Sequence, residues 1–247
     1  MECYIINLKD EKKRFLHTIN EIRKIFPNLT INKIDAIDGE KTTEGELYDN
    51  FNLKKYLKTN LWNITKEEIG CVLSHRECYF RLCSSKSEWG LILEDDIKIT
   101  GNIHPIFKIL EKKLDSNTPQ IILFSGWYWY TSKKRIENNF YLCKIYDARL
   151  AHAYLINKKS AEIILREKPW YIADHWDKYK KMGINILAIK PHLIDQINNS
   201  HFKSSIQKGK PVIYHFGIKK WLTLKKQGII RRFLKYILGN FENKHNC

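Results

Sequence analysis

Short apolar runs alternate with amphipathic stretches along most of this chain, and this alternation constrains its fold more than any other feature. The run CYIINL (3–8) has the composition of a buried strand, and DEKKRFLHTINEIRKIF (10–26) has apolar residues at helical spacing. The same order returns in a predicted strand at 30–36, a helix at 64–83 and a strand at 89–93. Strands that alternate with helices predict an α/β open sheet with a largely parallel core.

The second half of the chain continues this pattern without a linker. No stretch is rich in glycine or proline, and no internal repeat interrupts the alternation. We therefore predict one α/β domain at 1–218 and a distinct C-terminal segment at 219–247. Further predicted helices lie at 104–115, 158–167 and 174–182, and further predicted strands at 120–124, 140–146, 151–156 and 184–190.

The composition is that of a folded protein in a reducing compartment. Hydrophobic residues make up 43% of the chain and aromatic residues 13%, which excludes a disordered chain. The six cysteines include no CxxC pair, so no cysteine metal motif is predicted. The opening MECYIINLKDEKKR does not contain the apolar segment of a signal peptide, and we expect reduced thiols and a cytoplasmic location.

Three adjacent acids, Glu94, Asp95 and Asp96, directly follow the predicted strand at 89–93. Ligands of open α/β sheets bind at the carboxyl ends of strands, so these acids are expected beside a ligand. Buried carboxylates that repel one another need a cation or strong donors. Their oxygens suit Mg²⁺ or Mn²⁺, which can also bridge phosphates. The pattern favours such a metal site, and a solvated turn is the alternative.

The net charge of +16 predicts an anionic partner, which could be nucleic acid, anionic lipid or a phosphate-bearing substrate. The segment 219–247 carries eight Lys/Arg residues and one acid, Glu242, with aromatic and aliphatic residues at helical spacing. A helix with one apolar and one basic face suits the surface of an anionic membrane. The alternative is a last helix that packs on the core with its polar side in solvent.

Motif searches leave several other functions without support. The chain has no G-x-x-x-x-G-K-[ST] loop, no G-x-G-x-x-G and no G-x-S-x-G elbow. No nucleic-acid-binding module is recognisable, so no nucleic-acid partner is expected. A metal-dependent nuclease stays an alternative on charge and carboxylates alone.

Five blocks of sequence stand in a characteristic order: INLKDEKKR (6–14), IDAIDG (34–39), IGCVLSH (69–75), LILEDDI (91–97) and AHAYLINKKSA (151–161). Together they resemble glycosyltransferase family 25, the lipooligosaccharide galactosyltransferases of Gram-negative bacteria. Each block alone is a weak signal, but five in order at plausible spacing form a strong one. The resemblance implies a GT-A-like, Rossmann-type fold, a nucleotide-sugar donor (usually UDP-galactose), a divalent metal ion and inversion at the anomeric carbon.

The resemblance assigns the three acids to the donor and its metal ion. EDD resembles the acidic metal motif of the family, which implies Asp96 and Glu94 as ligands of Mn²⁺ or Mg²⁺. Glu94 and Asp95 would hold the ribose, the sugar or a metal-bound water beside the UDP-sugar. Three histidines are candidates for a further metal ligand, and the alternative for each is a structural role. These are His192, His201 and His215.

Residues of the other blocks are candidates for binding the donor. Asn7 and Leu8 end the first strand, the usual place for a nucleotide base, and Arg14 either reaches toward phosphate or is a solvated helix residue. Ser74 and His75 lie in an otherwise apolar helix, where a buried structural histidine is the common case. The resemblance of GCVLSH to the family block favours a donor-site role for both residues.

Three further predictions concern Cys71, Gly39 and Ser205. Cys71, in the same helix as His75, is predicted to be a core thiol. Gly39 is predicted to supply a positive backbone φ angle in a turn after the second strand. Ser205 stands where relatives often carry an acid, so a metal or donor role is not assigned to it.

Inversion requires a general base that takes the proton of the acceptor hydroxyl. The candidate is Asp174 in YIADHWDKY, at a predicted helix start in the region where the family carries an acid. A plain N-cap role for Asp174 is the alternative, and Asp147 and Asp177 are weaker candidates for the base. Sugars commonly stack on aromatic rings. The candidates for such a role are 126–130, Trp170 and Trp176, and packing in the core is the alternative for them.

These observations lead to one expected function. We expect an inverting, metal-dependent glycosyltransferase that moves galactose from UDP-galactose onto a lipooligosaccharide or lipopolysaccharide acceptor. Its expected location is the cytoplasmic face of the inner membrane, where lipid headgroups and inner-core phosphates are both anionic. The alternatives are transfer from UDP-glucose or a UDP-N-acetylhexosamine, a metal-dependent nuclease, and a carbohydrate-binding protein without catalytic activity.

Overall fold

The computed structural model describes residues 1–60, 62–137, 139–197 and 218–242, and within them helices and strands alternate. In chain order the elements are β1 (Glu2–Asn7), α1 (Lys12–Ile25), β2 (Ile31–Asp35), α2 (Glu44–Asn50), α3 (Leu53–Thr59), α4 (Lys66–Ser84), β3 (Trp89–Glu94), β4 (Ile97–Ile99), α5 (His104–Lys113), β5 (Gln120–Leu123), β6 (Tyr128–Glu137), β7 (Phe140–Ala148), β8 (Ala153–Asn157), α6 (Lys158–Leu165), α7 (Trp176–Lys181), β9 (Asn185–Lys190), β10 (Ile194–Gln196), α8 (Ile218–Leu238) and β11 (Asn240–Glu242).

Nine of these strands form one sheet in the order β11-β6-β7-β9-β5-β8-β3-β1-β2. The pairs β1–β2, β1–β3 and β5–β9 are parallel, whereas β8 is antiparallel to both of its neighbours, β3 and β5. Five of the six strands from β2 to β9 in this order therefore point the same way. The predicted fold class, a GT-A-like α/β open sheet with a largely parallel core, is confirmed.

The core lies on both faces of the sheet because the side chains of its strands alternate. Tyr4 and Ile6 of β1 belong to one buried cluster, together with residues of α4, α6 and α7. Cys3 and Ile5 belong to a second buried cluster, which includes residues of α1 and α5. A strand that is covered on both faces reads as a continuous apolar run, which is why CYIINL carried the strand signal.

Helix α4 shows how local sequence fixes an element that shapes the site. The Thr65 side chain accepts a hydrogen bond from the backbone N–H of Glu68, and the Glu68 carboxylate accepts one from the backbone N–H of Thr65. This reciprocal capping box satisfies two N–H groups that a helix start otherwise leaves unpaired. Val72, Tyr79 and Leu82 then pack α4 against the sheet, whereas Ile69 and Leu73 pack against α2 and α3.

Some elements differ from the sequence prediction. Helices α2 and α3 and strands β4, β6 and β10 were not predicted as such, and the helix predicted at 174–182 is confined to Trp176–Lys181. The solvent-exposed residues of β6 conceal its periodicity, because Thr131 to Arg135 are all exposed. Short helices such as α2 depend on a cap and one or two buried anchors, which gives them little periodic signal.

The C-terminal segment forms a long helix and then a strand of the sheet. Strand β11 pairs antiparallel with β6, and Glu242 at its end forms ion pairs with Lys190 and His192. Lys235 of α8 forms an ion pair with the buried Asp147 of β7. The predicted helical, basic character of this segment agrees with α8, while the proposed domain division at 218 and 219 stays a prediction. Among the described residues, no helix is long and apolar enough to cross a membrane.

Candidate active site

The carboxyl ends of β1 and β3 meet at one edge of the sheet and bring the predicted polar residues together. Ile6 is in register with Glu94, so Asn7 lies beside the acids that follow β3. The Asn7 side-chain amide donates a hydrogen bond of 2.7 Å to Asp95 Oδ2 and another of 2.9 Å to the carbonyl of Glu11. Asn7 is thereby fixed between the end of β1, the start of α1 and the acidic cluster.

Arg14, near the start of α1, is a cation that pairs with two of the three acids. Its Nε donates a hydrogen bond of 2.8 Å to Asp95 Oδ1, and its Nη2 lies 2.5 Å from the same oxygen and 3.2 Å from Asp96 Oδ2. The Arg14 side chain is only 12% exposed, so it is not a solvated helix residue. A guanidinium that pairs with two carboxylates can hold them close to each other despite their repulsion.

Even with Arg14 present, the acidic cluster carries excess negative charge. Burial raises the pKa of Asp96 to about 7, and the nearby charge of Glu94 adds to this effect although Arg14 opposes it. Burial also raises the pKa of Asp95, although Arg14 and Asn7 act to lower it. Asp96 Oδ1 is buried without a hydrogen-bond partner among the described residues. A further cation at this position would therefore be stabilising.

Glu94 faces helix α4 rather than Arg14. Glu94 Oε1 lies 3.5 Å from His75 Nε2, and Cys71 is one helical turn before His75. Ligand atoms of Cys71, His75 and Glu94 all lie within 4.8 Å of one another, an arrangement that can hold a metal ion. Burial raises the pKa of Glu94, but the contact with His75 and the charges of His152 and Arg14 outweigh it, and the pKa is lowered.

Cys71 is the functional candidate that sequence reasoning missed. It was predicted to be a core thiol and does pack against the buried cluster of α4 and the sheet, but it is partly exposed and also lines the cleft described below. Burial nevertheless raises the pKa of its thiol well above the ordinary value, and the charge of Glu94 adds to the effect. The available signal was the spacing of Cys71 and His75, because residues four positions apart lie on one face of a helix.

Ser74 and two glycines build the wall of the site. Ser74 Oγ accepts a hydrogen bond of 2.8 Å from the backbone N–H of Ile37 and donates one of 2.7 Å to the carbonyl of Gly70. A Cβ atom on Gly39 would lie 2.3 Å from the carbonyl of Lys66. The predicted reason for Gly39 was therefore wrong: it has no positive φ and instead allows close approach of two backbones.

A cleft of about 290 Å³ opens between the end of β1, the loop after β2, and α4. Its lining has the chemistry of a site for a polar ligand, because it combines apolar side chains with acids, an arginine and a histidine. Asp96 and Asp174 do not line it. The predicted donor residues that do line it are Asn7, Leu8, Arg14, Ser74, His75, Glu94 and Asp95.

Asp174, the predicted general base, lies in the segment before α7. The N-cap residue of this helix is His175, so Asp174 does not have the alternative role of an N-cap. Its Oδ2 accepts a hydrogen bond of 3.2 Å from the backbone N–H of Leu150, a residue with a positive φ of 71°. Burial raises the pKa of Asp174 and the charge of Glu94 adds to this effect, although the hydrogen bond from Leu150 and the charge of Arg149 oppose it.

The other candidates have structural partners or lie elsewhere. Asp147 is paired with Lys235, Trp176 is buried in the core, and His192 lies in ion pairs with Asp195 and Glu242. Within 126–130, Tyr128 and Tyr130 are buried, whereas Trp127 is 43% exposed. Asp177 lies on α7, and Trp170 packs beside Tyr171. The remaining candidates lie outside the described residues, and these are His201, Ser205 and His215.

The fold and the cleft define an α/β protein with a polar cleft at the carboxyl ends of its parallel strands. A sequence model described as Glycosyltransferase family 25 (LPS biosynthesis protein) matches residues 1–174, which include every predicted donor residue and Asp174. The chain belongs to glycosyltransferase family 25.

Curated relatives are distant and much longer. The chain is 27% identical over 179 residues to a glycosyltransferase 25 family member of Anopheles gambiae, which covers 67% of the chain and 28% of that protein. A glycosyltransferase 25 family member of Aedes aegypti is 27% identical over 182 residues, with the same coverage. The chain therefore spans less than a third of the length of these relatives.

Two solved glycosyltransferases have low sequence identity and low structural similarity to the chain. A mutant of the Drosophila beta-1,4-galactosyltransferase 7, in complex with manganese, UDP-Gal and xylobiose, is 9% identical with a TM-score of 0.44, covering 89% of this chain and 78% of that one. The galactosyltransferase LgtC, in complex with donor and acceptor sugar analogs, is 11% identical with a TM-score of 0.35, covering 75% and 73%. At such scores neither structure bears on the function of this chain.

Proposed function

We propose that the chain is an inverting, metal-dependent glycosyltransferase that moves galactose from UDP-galactose onto a lipooligosaccharide or lipopolysaccharide acceptor. One observation supports this proposal above the others: the residues that the family resemblance assigns to the donor line one cleft at the carboxyl ends of β1 and β3. These residues come from segments up to 88 positions apart, as Asn7 and Asp95 illustrate. Ligands of open α/β sheets bind at this edge.

The donor would lie with its diphosphate beside the acids and its base near the end of β1. Asn7 and Arg14 hold Asp95 in a fixed position, so its carboxylate is available as a rigid acceptor for donor hydroxyls. A diphosphate next to three acids requires additional positive charge. Glu94 and Asp96 fit a divalent cation, because Glu94 belongs to a cluster of potential ligands and Asp96 Oδ1 is buried without a hydrogen-bond partner in the described chain. Bound Mn²⁺ or Mg²⁺ would supply charge neutralisation of the departing UDP.

Asp174 is the proposed general base. The acceptor oxygen forms its bond to the anomeric carbon as the bond from that carbon to the UDP oxygen breaks, and the hydroxyl proton passes to a carboxylate oxygen. Asp174 Oδ1 is buried and has no hydrogen-bond partner in the described structure, while Oδ2 is held by the backbone of Leu150. The raised pKa makes this carboxylate a stronger base than an exposed aspartate.

Helix α8 supports a location at the inner face of an anionic membrane. Its exposed apolar side chains fall within a face roughly 120° wide at the angular step of an α-helix. Lys235 lies on the other side, buried over the Trp129 ring at 3.7 Å and paired with Asp147, so the helix docks on the domain with its apolar face outward. Lys225, Lys226 and Arg232 are also exposed and complement anionic headgroups. The exposed apolar residues are Leu222, Ile229, Ile230, Phe233, Tyr236 and Ile237.

The first test is transfer and hydrolysis of a panel of UDP-sugars, with Mn²⁺, with Mg²⁺ and with EDTA. We expect turnover of UDP-galactose that EDTA abolishes and that Glu94→Gln lowers by at least ~100-fold. Glu44→Gln, an exposed acid of α2, is the matched control and should leave turnover unchanged. Turnover of UDP-glucose or a UDP-N-acetylhexosamine alone would correct the donor and keep the reaction class.

Other outcomes would favour the alternative functions. Sugar binding that EDTA does not alter, with no turnover of any UDP-sugar on a lipooligosaccharide acceptor, would support a carbohydrate-binding protein. Cleavage of DNA or RNA that depends on Glu94, with steeply salt-dependent binding, would support a nuclease.

A further inference from the structure

Cys71, His75 and Glu94 form a compact group with three different ligand atoms. Cys71 and His75 project from one face of α4, and Glu94 faces them from the end of β3. Sulfur, nitrogen and oxygen atoms of the three side chains all lie within 4.8 Å of one another. All three residues line the cleft, so an ion could reach them from solvent.

The distance between His75 and Glu94 suits two ligands of one ion better than a hydrogen bond. His75 Nε2 and Glu94 Oε1 are 3.5 Å apart, and Nε2 has no hydrogen-bond partner among the described residues. Bonds of ~2.0 Å to nitrogen and oxygen place two ligands of a tetrahedral ion roughly 3.3 Å apart. His75 is only 1% exposed, and a buried ring nitrogen without a protein partner is costly, so an ion bound to Nε2 would be stabilising.

The other ring nitrogen of His75 is held by a tyrosine from the sheet. His75 Nδ1 lies 2.8 Å from the Tyr154 hydroxyl, which lies 2.6 Å from the Tyr79 hydroxyl, and all three side chains are buried. When Nδ1 carries the hydrogen and donates to Tyr154, Nε2 presents its lone pair toward Cys71 and Glu94. Metal-binding histidines are commonly oriented by such a contact on the second nitrogen.

Arg14 and Asn7 contact three of the four carboxylate oxygens of Asp95 and Asp96, and Asp96 Oδ1 has no hydrogen-bond partner among the described residues. Arg14 contacts both carboxylates, and its positive charge disfavours a second cation on the oxygens that it occupies. The acidic motif implied Asp96 and Glu94 as ligands, whereas Asp96 does not line the cleft. Glu94 Oε1, by contrast, lies 3.5 Å from His75 Nε2 and therefore faces potential partner ligands on α4.

We propose that Cys71, His75 and Glu94 bind a borderline transition-metal ion of the Zn²⁺ or Co²⁺ type in the donor cleft. The thiol of Cys71 releases its proton to solvent as the metal–sulfur bond forms, and the two anionic ligands balance the charge of the ion. Thiolate and imidazole ligands select such ions over Mg²⁺, which prefers oxygen. Three protein ligands leave one tetrahedral position for a water or donor oxygen. This inference rests on the proposed function only for the role of the ion, which would there take the place of the Mn²⁺ or Mg²⁺ held through Glu94. Binding of the ion itself requires no substrate.

The test is titration of the metal-free protein with Co²⁺, followed by absorption spectroscopy. We expect a thiolate-to-cobalt charge-transfer band that saturates at one ion per chain. Cys71→Ser should abolish the band, whereas Cys83→Ser, a change on the same helix at a thiol outside the cluster, should keep it. Added Zn²⁺ should displace Co²⁺ stoichiometrically, and Mg²⁺ in excess should not.

A second variant separates a metal site from a structural contact. Tyr154→Phe keeps the aromatic ring and removes the hydroxyl that orients His75, so it should weaken Co²⁺ binding ~10–100-fold without removing the band. Absence of the band in the wild-type protein, or its persistence in Cys71→Ser, would overturn the proposal. Such a result would leave the proposed transferase intact if UDP-galactose is still turned over with Mn²⁺. Conversely, a normal cobalt band without any turnover would refute the transferase and keep the metal site.

Discussion

At the scale of single residues, Arg14 explains how three adjacent acids persist at a partly buried strand end. Its guanidinium pairs with Asp95 and Asp96 and is itself mostly buried, so removing it leaves two carboxylates without their cation. We expect Arg14→Met to lower the free energy of unfolding by about 3 kcal/mol near pH 8, because an uncompensated buried charge is strongly destabilising. Urea denaturation with EDTA present measures the effect.

The same variant has a predicted pH dependence. Without Arg14 the pKa values of Asp95 and Asp96 in the folded protein rise further above those of the unfolded chain. The free-energy cost of burying these carboxylates without a cation exists only at pH values where they are ionised. The loss of stability should therefore shrink as the pH falls from 8 to 5. Arg81→Met, which removes an exposed pair with Glu77, should cost less than ~1 kcal/mol at either pH. Equal losses in the two variants would contradict the assigned role of Arg14.

Asp174 is tested by the pH dependence of transfer. Asp174→Asn should lower kcat ~100-fold or more, since general-base catalysis contributes about that much. Because burial raises the pKa of Asp174, wild-type kcat should fall as the pH drops through a value above 3.8. In the variant this acidic limb should be absent from the residual rate. A variant that retains the limb would exclude Asp174 as the base.

At the scale of elements, the outward face of α8 makes a specific prediction about lipid binding. Phe233→Glu combined with Ile237→Glu should weaken binding to vesicles that contain anionic lipid by more than ~10-fold, because each change removes a side chain that would bury apolar surface. Co-sedimentation with vesicles measures it. Leu16→Glu, which alters an equally exposed apolar residue of α1, should bind as the wild type does. If neither the double variant nor Leu16→Glu changes vesicle binding, the apolar face of α8 would instead contact a protein partner.

Strand β11 is attached through a buried ion-pair network that depends on pH. Burial would raise the pKa of Glu242, but His192 and Lys190 lower it to about 2. Burial would lower the pKa of His192, but Asp195 and Glu242 raise it to about 9. The contribution of Glu242 is lost as the pH falls below about 4.5, and that of His192 is lost as the pH rises from about 6.5 through 9.

The network should therefore contribute most between about pH 4.5 and 6.5. We expect Glu242→Gln to reduce thermal stability by about 2 kcal/mol at pH 6 and by clearly less at pH 9.5, where His192 is neutral. Thermal denaturation at both pH values measures the difference. Glu137→Gln, an exposed residue at the end of β6, provides the matched control. An equal effect at both pH values would show that His192 is not charged in the folded protein.

At the scale of the whole molecule, the C-terminal segment is part of the sheet as well as the carrier of the outward helix. Deleting 218–247 leaves Asp147, Lys190 and His192 without their charged partners and exposes the edge of β6. We expect a fall in Tm of roughly 5–10 °C and self-association through the open edge. Thermal denaturation and light scattering measure both effects. An unchanged Tm in a monomeric truncated protein would show that the segment does not stabilise the sheet.

The sequence predicts local elements well because their signals are local. The continuous apolar run of β1 and the capping box of α4 each specify an element through residues a few positions apart. The antiparallel direction of β8 and the pairing of β11 with β6 have no such signal, since both depend on packing between distant segments. The donor residues were found through the family blocks, whereas the contact of Arg14 with Asp95, 81 positions apart, emerges only in three dimensions.

The pairing of Arg14 with Asp95 has a consequence for how the sequence can change over time. Each residue pairs with a buried charge on the other, so a change at one position alone leaves an unpaired buried charge at the other. Substitutions at positions 14 and 95 should consequently occur together among related chains. In a double-mutant cycle, the loss of stability from changing both residues should be smaller than the sum of the two single losses. The first helix and the segment directly after the third strand should therefore diverge as a coupled pair.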